Sequence, residues 1–263
     1  MTRIPDLRIP SKIKTQSQSL LPNFLIVGAA KAGTTSLFHY LRQHPDVFMP
    51  QTKEANFFLG AGDRVVREVD PDGQSRSVSK INSLSDYQAL FTGAITAKAR
   101  GEASPKYLYY PGTAQRIKSV IPNTKIIVIL RHPVDRAYSD FLHQIRDGQE
   151  VVTDFATALR EEPRRIEKGW NSKYHYRSRG FYFEQLSRYY ATFDPANIHV
   201  YLYEDLQKDP ANLMRRIFCL LDVDPTFVPD MEIKHNISGV PKNQVLHRIG
   251  NFVSSSNNTL LKG

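Results

Sequence analysis

Apolar positions along the chain fall into two kinds of run. "NFLIVGA" and "KIIVILRHP" are short and continuous, and in the second every residue from Ile126 to Leu130 is apolar. Runs of that length bounded by small residues or proline predict strands buried on both faces. Elsewhere the spacing becomes helical. "TTSLFHYLRQHP" sets Leu37, Phe38 and Leu41 on one side before Pro45 stops it. "VDRAYSDFLHQIRDG" is expected to bury one stripe made of Val134, Ala137, Tyr138, Phe141, Leu142 and Ile145, ending at Gly148. "LSDYQALF" reads as a further helix, "GFYFEQLSRYYATF" as an amphipathic one, and "IHVYLYEDL" as a third strand. Strands alternating with helices predict an α/β fold, a single domain with a mostly parallel central sheet flanked by helices. Ligands of such sheets sit beyond the carboxyl ends of the strands, so residues 28–35 and 131–133 are expected on one rim.

The polar stretches 60–83 and 161–180 interrupt this pattern and read as long surface loops, either lids, acceptor sites or plain insertions. Residues 1–22 are polar with two early prolines and read as a loose N-terminal arm before a domain covering 23–263. The arm lacks the apolar core of a secretory signal, and no tract of the 263 residues is long and apolar enough to span a bilayer. A single cysteine, Cys219, lies in the helical pattern "ANLMRRIFCLLDV" and reads as a buried thiol. A cytoplasmic protein with no membrane partner is the resulting expectation.

Charge narrows the partner. The formal net charge of +9 calls for an anion. Yet the basic residues are scattered, with no zinc-finger spacing, RNP motif or basic zipper, so nucleic acid is not the expected ligand. His132, His143 and His247 have no metal-ligand spacing among them, and no metal is assigned. The segment "FLIVGAAKAGTTSLF" is more informative. Gly28 and Gly33 keep the spacing of the phosphate loop G-x-x-x-x-G-K-[ST], and Thr35 keeps its hydroxyl. Thr34 stands where that loop has lysine, while Lys31 comes three positions earlier. Amides of residues 33–36 open a helix and face an anion. A lysine about 4 Å away adds roughly 4 kcal/mol of attraction at an effective dielectric near 20, before desolvation.

"KAGTTSL" resembles the 5′-phosphosulfate loop of sulfotransferases that use 3′-phosphoadenylyl sulfate (PAPS), and "VILRHPVDRAYSDF" is similar to their 3′-phosphate motif. "TKEANFF", "GEASPKYLYYP", "RGFYFEQLSRYYATF" and "YEDLQKDP" follow in the same family order. The resemblance implies that Lys31, Ala32, Gly33, Thr34, Thr35 and Ser36 hold the 5′-phosphosulfate. Arg131 and Ser139 would hold the 3′-phosphate, with adenosine 3′,5′-bisphosphate (PAP) as product and no metal. It further implies Lys31 as the group that neutralises the leaving phosphate, and Glu54 as the base that takes the acceptor proton. Asn56 and Ala103 stand where glycosaminoglycan-modifying members commonly have histidine and lysine, which favours a small-molecule acceptor over a saccharide. Asn56 and Lys106 are the candidate acceptor contacts. Lys242, in "HNISGVPKNQVLHRI", is a candidate to close over the nucleotide.

Two other classes stay open, as does the oligomeric state. A phosphate-loop kinase or nucleotide triphosphatase would want lysine after Gly33 and an acid at a strand end, for which Glu204 and Asp205 are available. A non-catalytic polyanion-binding protein would use the basic surface alone.

Overall fold

A computed structural model describes residues 21–60, 66–79 and 81–232. The elements in chain order are β1 (Phe24–Gly28), α1 (Thr34–Gln43), β2 (Val47–Phe48), α2 (Phe57–Gly60), β3 (Arg67–Val69), β4 (Ser75–Ser77), α3 (Leu84–Ala89), β5 (Ala99–Ala103), α4 (Thr113–Val120), β6 (Lys125–Leu130), α5 (Pro133–Arg146), α6 (Phe155–Glu167), α7 (Tyr182–Tyr190), β7 (Ile198–Leu202), α8 (Tyr203–Lys208) and α9 (Pro210–Leu220). Five strands form a sheet in the order β2-β5-β1-β6-β7, and every pairing is parallel. A separate antiparallel hairpin pairs β3 with β4.

The α/β expectation holds, and its cause is the burial of the central strands. All five residues of β1 are buried, as are Ile126 to Ile129 of β6. Removing each large aliphatic side chain from water stabilises by roughly 1.5–3 kcal/mol. Helix faces complete the core, with Leu37, Phe38 and Leu41 from α1 and Leu213, Met214, Ile217 and Phe218 from α9. Leu21, inside the stretch read as an arm, is buried here as well, and its carbonyl accepts the Arg100 Nε–H at 3.2 Å.

Several expectations are corrected. β5, "ARGEA", lies between β2 and β1 without an apolar run, because its charged residues are satisfied in place. The Glu102 carboxylate, fully buried, accepts hydroxyls from Tyr87, Tyr107 and Ser104. On α5 the expected stripe is displaced: Ala137 and Phe141 are buried, but Val134 and Tyr138 are 59% and 47% exposed. Arg136, Asp140 and Gln144 take the buried side instead, because Arg136 pairs with Asp140 at 3.1 Å and Asp140 also takes Arg179 at 2.8 Å. The 161–180 stretch is not one loop. Its first part continues α6 through Pro163, held by Glu162, which accepts the backbone N–H groups of Arg177 and Ser178, and by Arg165, which pairs with Glu150 at 2.6 Å. The 60–83 stretch contains the β3–β4 hairpin. Cys219 is exposed, on the solvent side of α9, because Ile217 and Phe218 take the core positions.

Close packing makes one glycine obligatory. A Cβ on Gly101 would lie 2.0 Å from the Phe24 ring across the β1–β5 pair. Gly101→Ala is therefore expected to lower stability by about 1–3 kcal/mol through overpacking. Phe24→Leu in the same chain should recover part of that loss, and a double-mutant cycle on urea midpoints measures the coupling.

Candidate active site

β1 and β6 are neighbours, and their loops leave the sheet on the same rim: Ala29 N–H donates to Ile129 O at 2.7 Å. The β1 loop turns through Lys31, with φ 66°, and Gly33, with φ 94°, into α1. Gly33 admits no side chain, since a Cβ there would lie 2.8 Å from Leu206 and 2.9 Å from Tyr203 besides requiring left-handed backbone. Leu37 N–H closes the first helical turn onto Gly33 O at 3.1 Å. The preceding amides are those an α-helix leaves without a partner of its own.

This rim borders a cleft of about 290 Å³ lined by the loop residues Lys31, Gly33, Thr34, Thr35 and Ser36, by Arg131 and Ser139, and by Lys53 and Glu54. Most of the expected site residues thus meet in one place. Ala32 does not line it; its methyl is buried in the core. Asn56 is also turned away, with its N–H on Ser104 Oγ at 3.0 Å and its amide on Val78 O. Lys106 is drawn to Glu68 at 2.7 Å. Lys242 lies outside the described residues.

Arg131 follows the last residue of β6, and Tyr203 follows the last residue of β7, paired Leu130 with Leu202. That register stacks the guanidinium 4.7 Å from the centre of the Tyr203 ring. Arg131 Nη1 donates to Lys31 O at 3.2 Å, and Tyr182 OH donates to Arg131 O at 2.9 Å. Neither Lys31 nor Arg131 forms an ion pair with a carboxylate among the described residues. Burial lowers the Lys31 pKa, Asp140 opposes that, and Arg146 and Arg179 add to it. Glu204, an acid available for metal chemistry in the sequence, accepts the His132 N–H at 3.1 Å. Among the described residues, no cluster of His, Cys, Asp or Glu has the geometry to hold a metal ion.

On the opposite wall, Glu54 hangs from the end of β5 by its N–H on Ala103 O at 3.1 Å. Its backbone is left-handed, φ 60°, as is that of Asn56, φ 54°. The Glu54 carboxylate pairs with Lys53 at 2.6 Å. Burial works to raise its pKa, but the Lys53 charge and hydrogen bond outweigh burial, with Lys106 and Arg179 contributing, so it is lowered. Behind this wall Glu68 accepts Lys106, the Ser172 N–H at 2.9 Å and the Tyr110 hydroxyl. Burial would raise Glu68; Lys106 and these hydrogen bonds instead bring it to about 2.

Five residues lining the cleft were not among the expected site residues: Ala30, Lys53, Pro105, His143 and Tyr203. His143 is one helical turn beyond Ser139 on α5, and Tyr203 is the register partner of Arg131, so periodicity and strand pairing hold the signal for both.

The sequence model described as "Sulfotransferase family" matches residues 22–227. The mouse protein "Heparan sulfate glucosamine 3-O-sulfotransferase 6" is 28% identical over 196 residues, 74% of this chain and 51% of that protein. "Bifunctional heparan sulfate N-deacetylase/N-sulfotransferase" of Drosophila melanogaster is 26% identical over 243 residues, 85% of this chain and 22% of that protein. The match thus spans about half or less of these curated relatives. Among solved structures, a sulfotransferase from Alicyclobacillus acidocaldarius is similar with a TM-score of 0.73 and 37% identity, covering 89% of this chain and 92% of that one.

The Glu68 contacts set an acid response. A folded pKa near 2 against an ordinary 4.5 means stability that is fully present above about pH 4.5 and lost as pH falls toward 2. Since burial lowers Lys106 at the same time, the net gain of the pair is smaller than the Glu68 shift alone. Urea midpoints taken between pH 5 and pH 2.5 should fall less steeply in Glu68→Gln than in the unaltered chain; parallel curves would refute the assignment.

Proposed function

The chain belongs to the Sulfotransferase family, and on that premise we propose that it moves a sulfuryl group from PAPS to a hydroxyl or amine of a small-molecule acceptor. One observation carries this reading: Lys31 and Arg131, two cations without carboxylate partners among the described residues, line the same cleft and are joined through the Lys31 carbonyl. A donor with phosphate at both ends of its ribose fits that pair. The Gly33–Ser36 amides and Lys31 suit the 5′-phosphosulfate end. The planar fork of Arg131, with Ser139 beside it, suits the 3′-phosphate.

When bound, the donor supplies the sulfuryl group: the acceptor oxygen or nitrogen bonds to sulfur, the sulfur–oxygen bond to the phosphate breaks, and its electron pair leaves on PAP. The protein's part is charge and position. Lys31 meets the negative charge that grows on the leaving phosphate, in a half-buried setting where that attraction is little screened. Glu54 is ionised at neutral pH and takes the acceptor proton at its carboxylate. Lys53 holds that carboxylate in the cleft and makes it a weaker base. No residue in this scheme calls for a metal.

A saccharide acceptor is the second reading, supported by the names of the mouse and fly relatives. A magnesium-dependent phosphoryl transfer is disfavoured by Arg131 at the strand end and by the commitment of Glu204 to a backbone N–H.

Adenosine 3′,5′-bisphosphate should raise the melting temperature, and AMP at equal concentration should do so far less. Arg131→Ala should weaken bisphosphate binding about 10–100-fold, the range for a charged hydrogen bond. Lys31→Ala should remove nearly all transfer, and Glu54→Gln should lower kcat by about 10²-fold or more with bisphosphate affinity kept. A melting curve indifferent to the bisphosphate would overturn the donor assignment, and full transfer by Glu54→Gln would move the base elsewhere.

A further inference from the structure

The two walls of the cleft differ in how their charges are matched. On the phosphate-facing wall, Lys31 and Arg131 have no carboxylate in ion-pair range among the described residues. On the wall that carries Glu54, the neighbouring cations already touch carboxylates: Lys53 pairs with Glu54 at 2.6 Å and Lys106 with Glu68 at 2.7 Å, while Arg179 shares Asp140 with Arg136.

Glu68 is the unexpected member. It comes from β3, in a stretch that reads as a loop, and its carboxylate is only 6% exposed. The hairpin is pinned to residues 169–171 through Val69: its N–H donates to Gly169 O at 2.8 Å, and Asn171 N–H donates to Val69 O at 2.9 Å. Ser172 N–H and Tyr110 OH complete the carboxylate's partners. Lys106 follows Pro105, which lines the cleft, and lies within the field of Glu54 and Arg179. The hairpin therefore delivers a buried negative charge to the one lysine of the β5–α4 connection that stands next to the reacting side.

We propose that Glu68 is a specificity residue: by neutralising Lys106 it lowers the positive charge beside Glu54, and so selects acceptors that carry no anionic group beside the hydroxyl or amine to be modified. The proposal rests on the sulfuryl-transfer reading. An acceptor carboxylate or sulfate brought against this wall would be desolvated beside lysines, Lys53 and Lys106, that already hold carboxylates, and with Glu54 repelling it.

Small-molecule extract of the host, separated by anion exchange into a neutral fraction and an anionic fraction, is incubated with the protein and sulfur-labelled PAPS. The wild-type chain should label the neutral fraction at least tenfold more than the anionic one. Glu68→Gln keeps the hydrogen bonds from Ser172 and Tyr110 but leaves Lys106 unmatched, and should raise the anionic-to-neutral ratio about tenfold. Adding Lys106→Met to Glu68→Gln should return the ratio to the wild-type value, which a merely structural role of Glu68 would not do. Equal or greater labelling of the anionic fraction by the wild-type chain, or a ratio that Glu68→Gln leaves unchanged, overturns the proposal. So does a wild-type chain that is stabilised by PAP yet labels nothing neutral. Failure of the donor reading looks different, since PAP then produces no thermal shift at all.

Discussion

Two positive side chains held side by side, with no carboxylate in ion-pair range among the described residues, are the constraint around which this fold is organised. Lys31 and Arg131 sit on loops a hundred residues apart, and bringing them to one rim costs desolvation and mutual repulsion. Their alignment follows from parallel register. β1 and β6 pair directly, so their exits are adjacent, and the Arg131 guanidinium bonds to the Lys31 carbonyl where a carboxylate would have cancelled it. Tyr203, the first residue of α8 after β7, lies beneath that guanidinium and against Gly33, supporting both loops with one ring. A neutral, polarisable partner orients a cation without discharging it.

Away from the cleft another principle holds. There, charge is buried in hydrogen-bonded sets, and these sets join segments far apart in sequence. Asp140 collects Arg136 and Arg179, Glu150 takes Arg165 and Tyr176, and Glu162 takes the amides of Arg177 and Ser178. Replacing such sets by apolar groups is often neutral for stability, whereas removing one member is costly. They fix residues 176–179 against α5 and α6, while Glu68 ties the β3–β4 hairpin to Lys106 of the β5–α4 connection.

This contrast explains what could be read from the sequence. β1, β6 and α1 were legible because their burial is apolar, and the shared rim followed from chain topology. The phosphate-facing residues were legible because a loop between a buried strand and a helix has few other reasons to combine lysine, glycine and three hydroxyls. β5 was not legible, since Arg100 and Glu102 conceal its burial, and α6 was hidden behind Pro163 and a buried face of Glu162 and Arg165. Charged residues whose partners lie 15 or more positions away look solvated in a linear reading. Lys106 is the instructive case: its proximity to the cleft was anticipated, but the carboxylate that occupies it comes from a stretch with no apolar pattern.

Lys31, Glu54 and Asn56 adopt left-handed backbone that a glycine would adopt without steric cost. A residue with a Cβ gives up about 1 kcal/mol at each such position. Libraries of this chain filtered on heat resistance alone should therefore enrich glycine at 31 and 54, shedding the lysine and the carboxylate while the scaffold improves. Directed evolution toward robustness and toward turnover would part company at these two codons before anywhere else in the cleft.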